Sequence, residues 1–323
     1  MAPLLVHRPD TLYRHYFHRP LISVLVFHEF TDFSSACLAR IRYTTTSAMP
    51  MFDTLITETE LAELCVGEDV RVLDCRFELG DADAGRRAFL REHIPGAYYV
   101  DLAEDLSDPP NTACGRHPLP PENKLCALFS RLGIDTTTQV VLYDDSGGMF
   151  AARGWWMLRY LSHFPSAVLD GGWSSWRDAG RPRDSAVERV SETEFLSRER
   201  SDRLVKIEDF DDNAELIDAR DPRRFSGEFE PLDQHAGHIP GAKNHFFQQN
   251  LTERGFFREP ADLKQAFMAS LGKLPGDESV HYCGSGVSAC HNVLAQMYAG
   301  LEEPRLYCGS WSEWCADSGR PRA

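Results

Sequence analysis

The chain has 323 residues and a formal net charge of -15 at pH 7, which argues against nucleic acid as a partner because its binding requires basic patches. No apolar run approaches the length of a membrane span. The nine scattered cysteines lack CxxC pairs, which argues against a disulfide framework or a structural zinc site and favours a reducing, cytoplasmic compartment.

Residues 1–50 have no counterpart in the rest of the chain, and we expect them to be a poorly ordered N-terminal extension. Their excess of arginine over acid is compatible with an organelle-targeting segment, which would make the protein mitochondrial. We favour the alternative that the segment is an artefact of an upstream start codon. Met49 or Met51 would then be the true start, because the chain from Phe52 onward resembles a normal domain opening.

From Phe52 onward, short apolar runs alternate with helical stretches. Residues 140–143 form a β-prone run, and residues 155–160 follow with a helical pattern. This alternation predicts an α/β fold in which a mainly parallel sheet is flanked by helices on both faces.

Four segments of the first half recur in the second half in the same order and with similar spacing. They are 71–76 with 215–220, 93–97 with 238–242, 141–145 with 280–284, and 169–176 with 307–314. Such a repeat indicates a duplicated structural unit. We therefore predict two tandem domains of the same fold, joined by a charged linker. The predicted bounds are 51–180 for a non-catalytic first domain, 181–205 for the linker and 206–323 for a catalytic second domain.

The strongest candidate site is the segment 281–290, which has the pattern of a strand end, a tight loop and a helix start. Cys283 stands first in the loop, at the strand end where ligands bind in parallel sheets. The loop N–H groups and the helix start, which carries about half an elementary charge, would hold a thiolate. Asp144 or Asp145 takes the equivalent place in the first half, so only the second half carries a nucleophile.

Three other interpretations of this loop are weaker. Cys283 could be an inert buried thiol, which is common for free cysteine. Gly284, Gly286 and Ala289 match a dinucleotide-binding fingerprint, but the expected acidic strand end is missing. A cysteine-dependent phosphatase would need an arginine to close the loop around phosphate oxygens, and this loop has no basic residue.

Taken together, both His-Ile-Pro-Gly-Ala segments, the 283–290 loop and the Gly-Ser-Trp-Ser-Glu-Trp run at 309–314 resemble the tandem-domain rhodanese and 3-mercaptopyruvate sulfurtransferase family. The resemblance covers the chain from about Phe52 to its end, and the loop looks like that of the mercaptopyruvate branch. It implies that the Cys283 thiolate takes sulfur from a small anionic donor as a persulfide. A thiol, a thioredoxin-like protein or cyanide then removes it, without metal or organic cofactor.

The resemblance also implies substrate-binding residues. The loop residues would contribute their backbone, and Ser285 and Ser288 their hydroxyl groups. The loop residues concerned are Gly284, Gly286, Val287 and Ser288. Arg224 matches the family arginine that binds the donor's carboxylate or sulfonate. Its alternative is a surface ion pair with Glu228 or Asp221. Leu232 stands where mercaptopyruvate enzymes usually carry a second arginine, for which Arg153 or Lys243 could substitute.

His117 matches a family histidine that works with the loop serine, Ser285, in proton transfer. Its acidic partner is expected shortly after Asp101, where Ala103 is the direct match and Glu104 and Asp105 follow. The duplicated histidines and tryptophans are predicted to be structural, since only one half holds the reactive cysteine. They are His93, His238, Trp173, Trp176, Trp311 and Trp314. We interpret Cys308 and Cys315 as buried free thiols rather than a redox pair.

The sequence thus predicts a sulfurtransferase whose donor is 3-mercaptopyruvate, with thiosulfate as the alternative. A hypothesis of a different class is a non-catalytic sulfur carrier or interaction module that retains only the fold.

Overall fold

A computed structural model of the chain describes residues 51–64, 69–111, 114–210 and 214–323. The predicted N-terminal extension, residues 1–50, lies outside the described residues. In the described ranges, no helix combines the length and apolar character needed to cross a membrane.

The first half folds around a five-stranded sheet in which every pairing is parallel. Its strands are β1 (Leu55–Ile56), β2 (Val70–Asp74), β3 (Ala97–Tyr99), β4 (Gln139–Tyr143) and β5 (Ser166–Leu169). Their order across the sheet is β1-β5-β4-β2-β3. The helices are α1 (Glu58–Leu64), α2 (Ala84–Arg91), α3 (Glu122–Arg131), α4 (Ala151–Tyr160) and α5 (Gly172–Asp178). β4 is buried along its whole length, which explains its uniformly apolar centre.

The second half repeats this sheet. Its strands are β6 (Leu204–Val205), β7 (Leu216–Asp218), β8 (Lys243–Asn244), β9 (Val280–Tyr282) and β10 (Arg305–Tyr307). They are also all parallel, in the order β6-β10-β9-β7-β8. The helices are α6 (Pro222–Phe225), α7 (Pro260–Leu271), α8 (Ser288–Tyr298) and α9 (Ser310–Trp314). Each strand occupies the place of its counterpart in the first sheet, so the predicted α/β fold and its duplication are confirmed.

One boundary differs from the prediction. Leu204 and Val205, which we placed at the end of the linker, form the edge strand β6 and pair with Leu306 and Tyr307 of β10. A two-residue strand is too short to show an alternating pattern, so only its pairing with β10 identifies it.

The duplicated histidines, His93 and His238, make equivalent contacts in the two halves of the chain. His93 Nδ1 lies 2.7 Å from the carbonyl oxygen of Phe89, and its ring stacks on the same phenylalanine at 4.0 Å. In the second half, His238 makes the same two contacts with Phe225, at 2.8 Å and 3.8 Å. Both histidines therefore serve the packing of their own half, as predicted.

The two halves share a core. Helix α4 of the first half packs against α8 of the second, and one hydrophobic cluster contains Trp155 and Met157 from α4 together with Val293 and Leu294 from α8. This packing holds the start of α8, and the loop before it, against the first half of the chain.

Candidate active site

Cys283 follows directly after β9, and its residue is only 2% exposed. Both of its backbone groups are fixed by the region around α9. Its N–H donates to Ser310 Oγ at 3.1 Å, and its carbonyl accepts from Trp311 N–H at 3.0 Å. The next carbonyl, that of Gly284, accepts from Ser312 N–H at 2.9 Å. The position of the sulfur is therefore set by a backbone that is anchored on both sides.

The first half shows what this type of loop binds. Asp144 follows β4 in the place that Cys283 takes after β9, and its carboxylate lies inside its own loop. The carboxylate accepts four backbone N–H groups at 2.7 to 2.9 Å, those of Ser146, Gly148, Phe150 and Ala151. Of the two aspartates considered, Asp144 is therefore the counterpart of Cys283. In the first half, this loop therefore surrounds a carboxylate with amide donors.

The equivalent loop of the second half has no carboxylate at its first position, where Cys283 stands. Within the described ranges, the N–H groups of residues 284–287 donate to no protein oxygen. Gly286 makes the loop's tight curve with φ of 77°, and a methyl group there would lie 2.4 Å from the carbonyl oxygen of Cys308. Only glycine fits this position without displacing the backbone.

His117 reaches the loop from the first half. Its Nδ1 lies 2.7 Å from Ser285 Oγ, which is a hydrogen bond between the two predicted partners. Burial lowers the pKa of His117 to about 4, and the nearby guanidinium groups of Arg153 and Arg116 act in the same direction. The imidazole is therefore neutral at pH 7.

The structure brings no carboxylate to His117 among the described residues. Glu104 lies 3.6 Å from Arg86, and Asp105 pairs with Arg131 at 3.1 Å. Asp101 instead accepts the backbone N–H groups of Ala103 and Glu104. The acidic partner expected after Asp101 is thus absent from this part of the site, because these carboxylates are used within their own loop and by helices α2 and α3.

Arg153 of α4 crosses the boundary between the halves, and its guanidinium binds protein atoms. It is fully buried, and its Nη1 donates to Gly286 O at 3.0 Å and to Cys308 Sγ at 2.8 Å. Its Nη2 donates to the carbonyl of His117 at 3.1 Å. Arg153 therefore ties the loop to the His117 segment, and it does not replace the arginine missing at Leu232.

Lys243 does not replace that arginine either. It lies on β8, where its Nζ is 2.5 Å from the carbonyl oxygen of Leu271 and 3.5 Å from Glu215.

Arg224 of α6 faces the loop. A methyl group at Gly284 would lie 3.3 Å from its Nη2. The surface ion pairs considered for Arg224 belong elsewhere, since Glu228 pairs with Arg223 at 3.1 Å and Asp221 caps α6. Arg224 instead binds Glu230, because its Nη2 donates to Glu230 Oε1 at 2.8 Å.

Sequence reasoning missed Arg116. Its Nη1 forms an ion pair with Asp233, and its Nη2 lies nearest to Gly284, 2.8 Å from where a methyl group would be. Its backbone N–H donates to Ser312 Oγ at 3.1 Å, which attaches the segment to the second half. The available signal was its position next to His117, a residue that the pattern already placed at the site.

Cys308 and Cys315 are free, buried thiols, as predicted. They belong to different hydrophobic clusters on the second sheet. In the ranges that the structure describes, no three histidine, cysteine or acidic side chains lie together in a metal-binding arrangement.

Comparison with known proteins agrees with this architecture. A family model described as "Rhodanese-like domain" matches the chain twice, over residues 57–179 and 203–317. A Pseudomonas aeruginosa protein named "Probable 3-mercaptopyruvate sulfurtransferase" is 43% identical over 276 residues, covering 83% of this chain and 97% of that protein. The chain belongs to the rhodanese family of sulfurtransferases.

Relatives of this sulfurtransferase include enzymes named for thiosulfate and enzymes named for 3-mercaptopyruvate. The bovine (Bos taurus) thiosulfate sulfurtransferase is 33% identical, with 77% of this chain and 86% of that one covered. The structure of 3-mercaptopyruvate sulfurtransferase from Leishmania major superposes with a TM-score of 0.73 at 29% identity, covering 81% of this chain and 74% of that one. This rhodanese-family enzyme therefore moves sulfur from a donor to an acceptor, and the choice between donors depends on its own site.

Proposed function

We propose that this enzyme takes the sulfur of 3-mercaptopyruvate onto Cys283 as a persulfide and passes it to a thiol or to cyanide. The observation that carries the proposal is the repeated loop, in which Cys283 stands where Asp144 is held by four N–H groups. Donors arranged in this way stabilise a thiolate and then a persulfide anion. The backbone of this loop is supplied by Gly284, Gly286, Val287 and Ser288.

In the first step, the Cys283 thiolate attacks the donor's sulfur. An S–S bond forms, the donor's C–S bond breaks, and its electron pair leaves on carbon as the enolate of pyruvate. The donor's thiol proton passes to that carbon, which yields pyruvate and leaves the persulfide as an anion. Ser285 and His117 are proposed as the relay, because they are hydrogen-bonded to each other and a neutral imidazole both accepts and donates a proton.

In the second step, an acceptor thiolate or cyanide attacks the outer sulfur. The S–S bond breaks and its electron pair returns to Cys283 as the thiolate. We propose a thiol, such as that of a thioredoxin-like protein, as the acceptor and the cytoplasm as the compartment. The free state of all seven described cysteines supports a reducing environment.

Thiosulfate is the second candidate donor, and the observation that favours it is Leu232 in place of the arginine expected for mercaptopyruvate. Attack on thiosulfate breaks an S–S bond and releases sulfite, which leaves without a proton. Loss of the His117 relay should therefore slow transfer from 3-mercaptopyruvate far more than transfer from thiosulfate. Membership of an enzyme family gives no support to the hypothesis of a non-catalytic carrier or interaction module.

The test combines intact-mass spectrometry with steady-state rates for both donors. Wild-type protein treated with 3-mercaptopyruvate should gain one sulfur atom and turn over repeatedly when cyanide or a thiol is added. Cys283→Ser should do neither. The matched control is Cys126→Ser, since this half-buried cysteine of the first half contacts Ser197 and lies outside the site. Activity in Cys283→Ser, or a higher kcat/KM for thiosulfate than for 3-mercaptopyruvate in the wild type, would overturn the corresponding part of the proposal.

A further inference from the structure

Arg153 of α4 is a buried cation that forms no ion pair with a carboxylate among the described residues. Four arginines of the described ranges are buried, and the other three each pair with an acidic side chain. These pairs are Arg76 with Asp74 at 2.6 Å, Arg159 with Glu303 at 3.6 Å and Arg220 with Asp218 at 2.7 Å. Burial of an unpaired charge is costly, because the charge loses its hydration without gaining a counter-ion. The exception at Arg153 therefore points to a negative charge that forms at the site.

The protein atoms that bind the Arg153 guanidinium carry no negative charge. Nη1 donates to the carbonyl oxygen of Gly286 at 3.0 Å, and Nη2 donates to that of His117 at 3.1 Å. Nη1 also lies 2.8 Å from Cys308 Sγ, but burial raises the pKa of this thiol and keeps it protonated at pH 7. Burial likewise raises the pKa of Cys290, which donates to the carbonyl of Gly286 at 3.2 Å. Nε of Arg153 is buried and has no hydrogen-bond partner in the described part of the chain.

The other charges beside the loop balance one another. Three arginines of the second-half site and the segment before α3 meet three carboxylates in a connected set of ion pairs. They are Arg116, Arg220 and Arg224 with Asp218, Glu230 and Asp233. His117 is neutral at pH 7, because burial lowers its pKa to about 4, and burial raises the pKa of the Glu313 carboxyl on α9. In the described ranges, Arg153 thus brings the positive charge that these pairs leave unbalanced.

Gly286 connects this charge to the nucleophile. It lies three positions after Cys283 in the loop, and its carbonyl belongs to the peptide whose N–H is that of Val287. The N–H groups of residues 284–287 donate to no protein oxygen in the described ranges. A cation bound to a carbonyl polarises the whole peptide, which makes the N–H of that peptide a stronger donor.

We propose that Arg153 is a positioning residue that keeps Cys283 in its thiolate form and then holds the persulfide anion, acting through the Gly286–Val287 peptide and through its own unbalanced charge. This inference rests on the proposed function, since it concerns the charge state of the same nucleophile. The Arg153 cation and the Cys283 anion together carry no net charge, which accounts for a buried arginine without a carboxylate. The first half of the chain therefore supplies the charge that the nucleophile of the second half needs.

The experiment separates the charge of Arg153 from its hydrogen bonds. Arg153→Gln keeps an amide that donates to a carbonyl but removes the charge, whereas Arg153→Lys keeps the charge. The matched control is Arg159→Gln, because Arg159 lies on the same helix, is also buried and pairs with Glu303 away from the loop. For each protein, the rate of Cys283 alkylation by iodoacetamide, a neutral reagent that reacts with the thiolate, is measured against pH by mass spectrometry of the modified peptide.

Arg153→Gln should raise the midpoint of this pH profile by about one unit or more, because the thiolate loses a nearby positive charge. Arg153→Lys should stay within about half a unit of the wild type, and Arg159→Gln should match the wild type. A purely structural role for Arg153 would instead move the midpoint equally in the glutamine and lysine variants, which would refute the proposal. Thermal unfolding checks that each variant is folded.

Two measurements leave Arg153 in place and so decide the question even if its variants do not fold. The ultraviolet absorbance of the thiolate, taken as the difference between wild type and Cys283→Ser, should titrate at least about one unit below the value of about 8.5 for free cysteine. A midpoint at or above that value would refute the proposal. Cys308→Ala should leave the Cys283 midpoint unchanged, and a lower midpoint would show that Cys308 is the anion that Arg153 neutralises, which would also refute it.

The outcomes separate this inference from the proposed function. If Arg153→Gln keeps the wild-type midpoint while 3-mercaptopyruvate still forms a persulfide on Cys283, the role of Arg153 is refuted and the proposed function stands. If neither donor forms a persulfide on wild-type Cys283, the proposed function fails, and the midpoints of the glutamine and lysine variants still decide whether Arg153 stabilises the thiolate.

Discussion

The neutral state of His117 predicts an unusual pH profile for persulfide formation. Burial and two neighbouring arginines lower the pKa of this histidine from 6.5 to about 4. The difference corresponds to about 3 kcal/mol against protonation, so only about one molecule in a thousand carries the charged imidazole at pH 7. Formation of the persulfide from 3-mercaptopyruvate should therefore show no ionisation near pH 6.5, where an ordinary histidine would titrate.

The assay is single-turnover persulfide formation, quenched and followed by mass spectrometry between pH 5 and 8. It compares the wild type with His117→Asn, which keeps a polar group near Ser285 but cannot titrate. Ionisations of Cys283 or of the donor appear in both proteins, so the shapes of the two profiles should agree although His117→Asn is slower. A wild-type inflection near pH 6.5 that is missing from His117→Asn would refute the argument, because it would place the imidazole in ordinary solvent.

Three further predictions concern the framework of the site. Asp144→Ala should lower the free energy of unfolding by about 3 kcal/mol or more, because four buried N–H groups lose their acceptor. Urea unfolding measures this loss. The control Asp145→Ala, at an exposed position, should change the free energy of unfolding by less than about 0.5 kcal/mol. Gly286→Ala should destabilise by about 1 to 3 kcal/mol and abolish persulfide formation, since its methyl group would meet the carbonyl of Cys308; wild-type activity would contradict this. Acid should destabilise the protein through buried histidines whose pKa is lowered by burial to about 4 or 3. These are His163, His245, His281 and His291. A lowered folded pKa means that stability is complete above about pH 6.5 and is lost as pH falls toward 4, so urea midpoints that agree at pH 7.5 and 5.5 would contradict the prediction.

The parts of the fold that the sequence predicted are those with a local signature. The duplicated Asp–Arg pairs can be recognised in the sequence, because in each half the arginine forms an ion pair with the aspartate two positions before it. Arg220 binds Asp218 at 2.7 Å and lies over the Trp311 ring at 4.9 Å, and Arg76 pairs with Asp74 in the first half at 2.6 Å. Such contacts join residues that are close together in the chain at the end of one strand. The same residue types therefore recur at the same spacing in both halves of the sequence.

The contacts across the two halves have no such signature. Arg116 and Ser312 are 196 positions apart, and Arg153 and Gly286 are 133 apart, yet both pairs are hydrogen-bonded. The sequence also led us to expect a carboxylate partner for His117, which the described residues do not provide, for a related reason. The sequence places Glu104 and Asp105 near the right position, but only packing shows that Arg86 and Arg131 bind them. Long-range partners become visible only once the two sheets are placed against each other.

The two copies of the loop contribute differently to the proposed site. After β4, the loop is closed by the carboxylate of Asp144, which uses four N–H groups for stability. After β9, a smaller thiol takes that place, and within the described ranges no oxygen of the second half accepts the N–H groups of residues 284–287. The first half supplies what is then missing, because Arg153 holds the loop carbonyl of Gly286, His117 reaches Ser285 and Arg116 reaches Gly284. A single copy of the fold would have the proposed nucleophile without these three side chains, so the proposed site requires both halves in contact along α4 and α8.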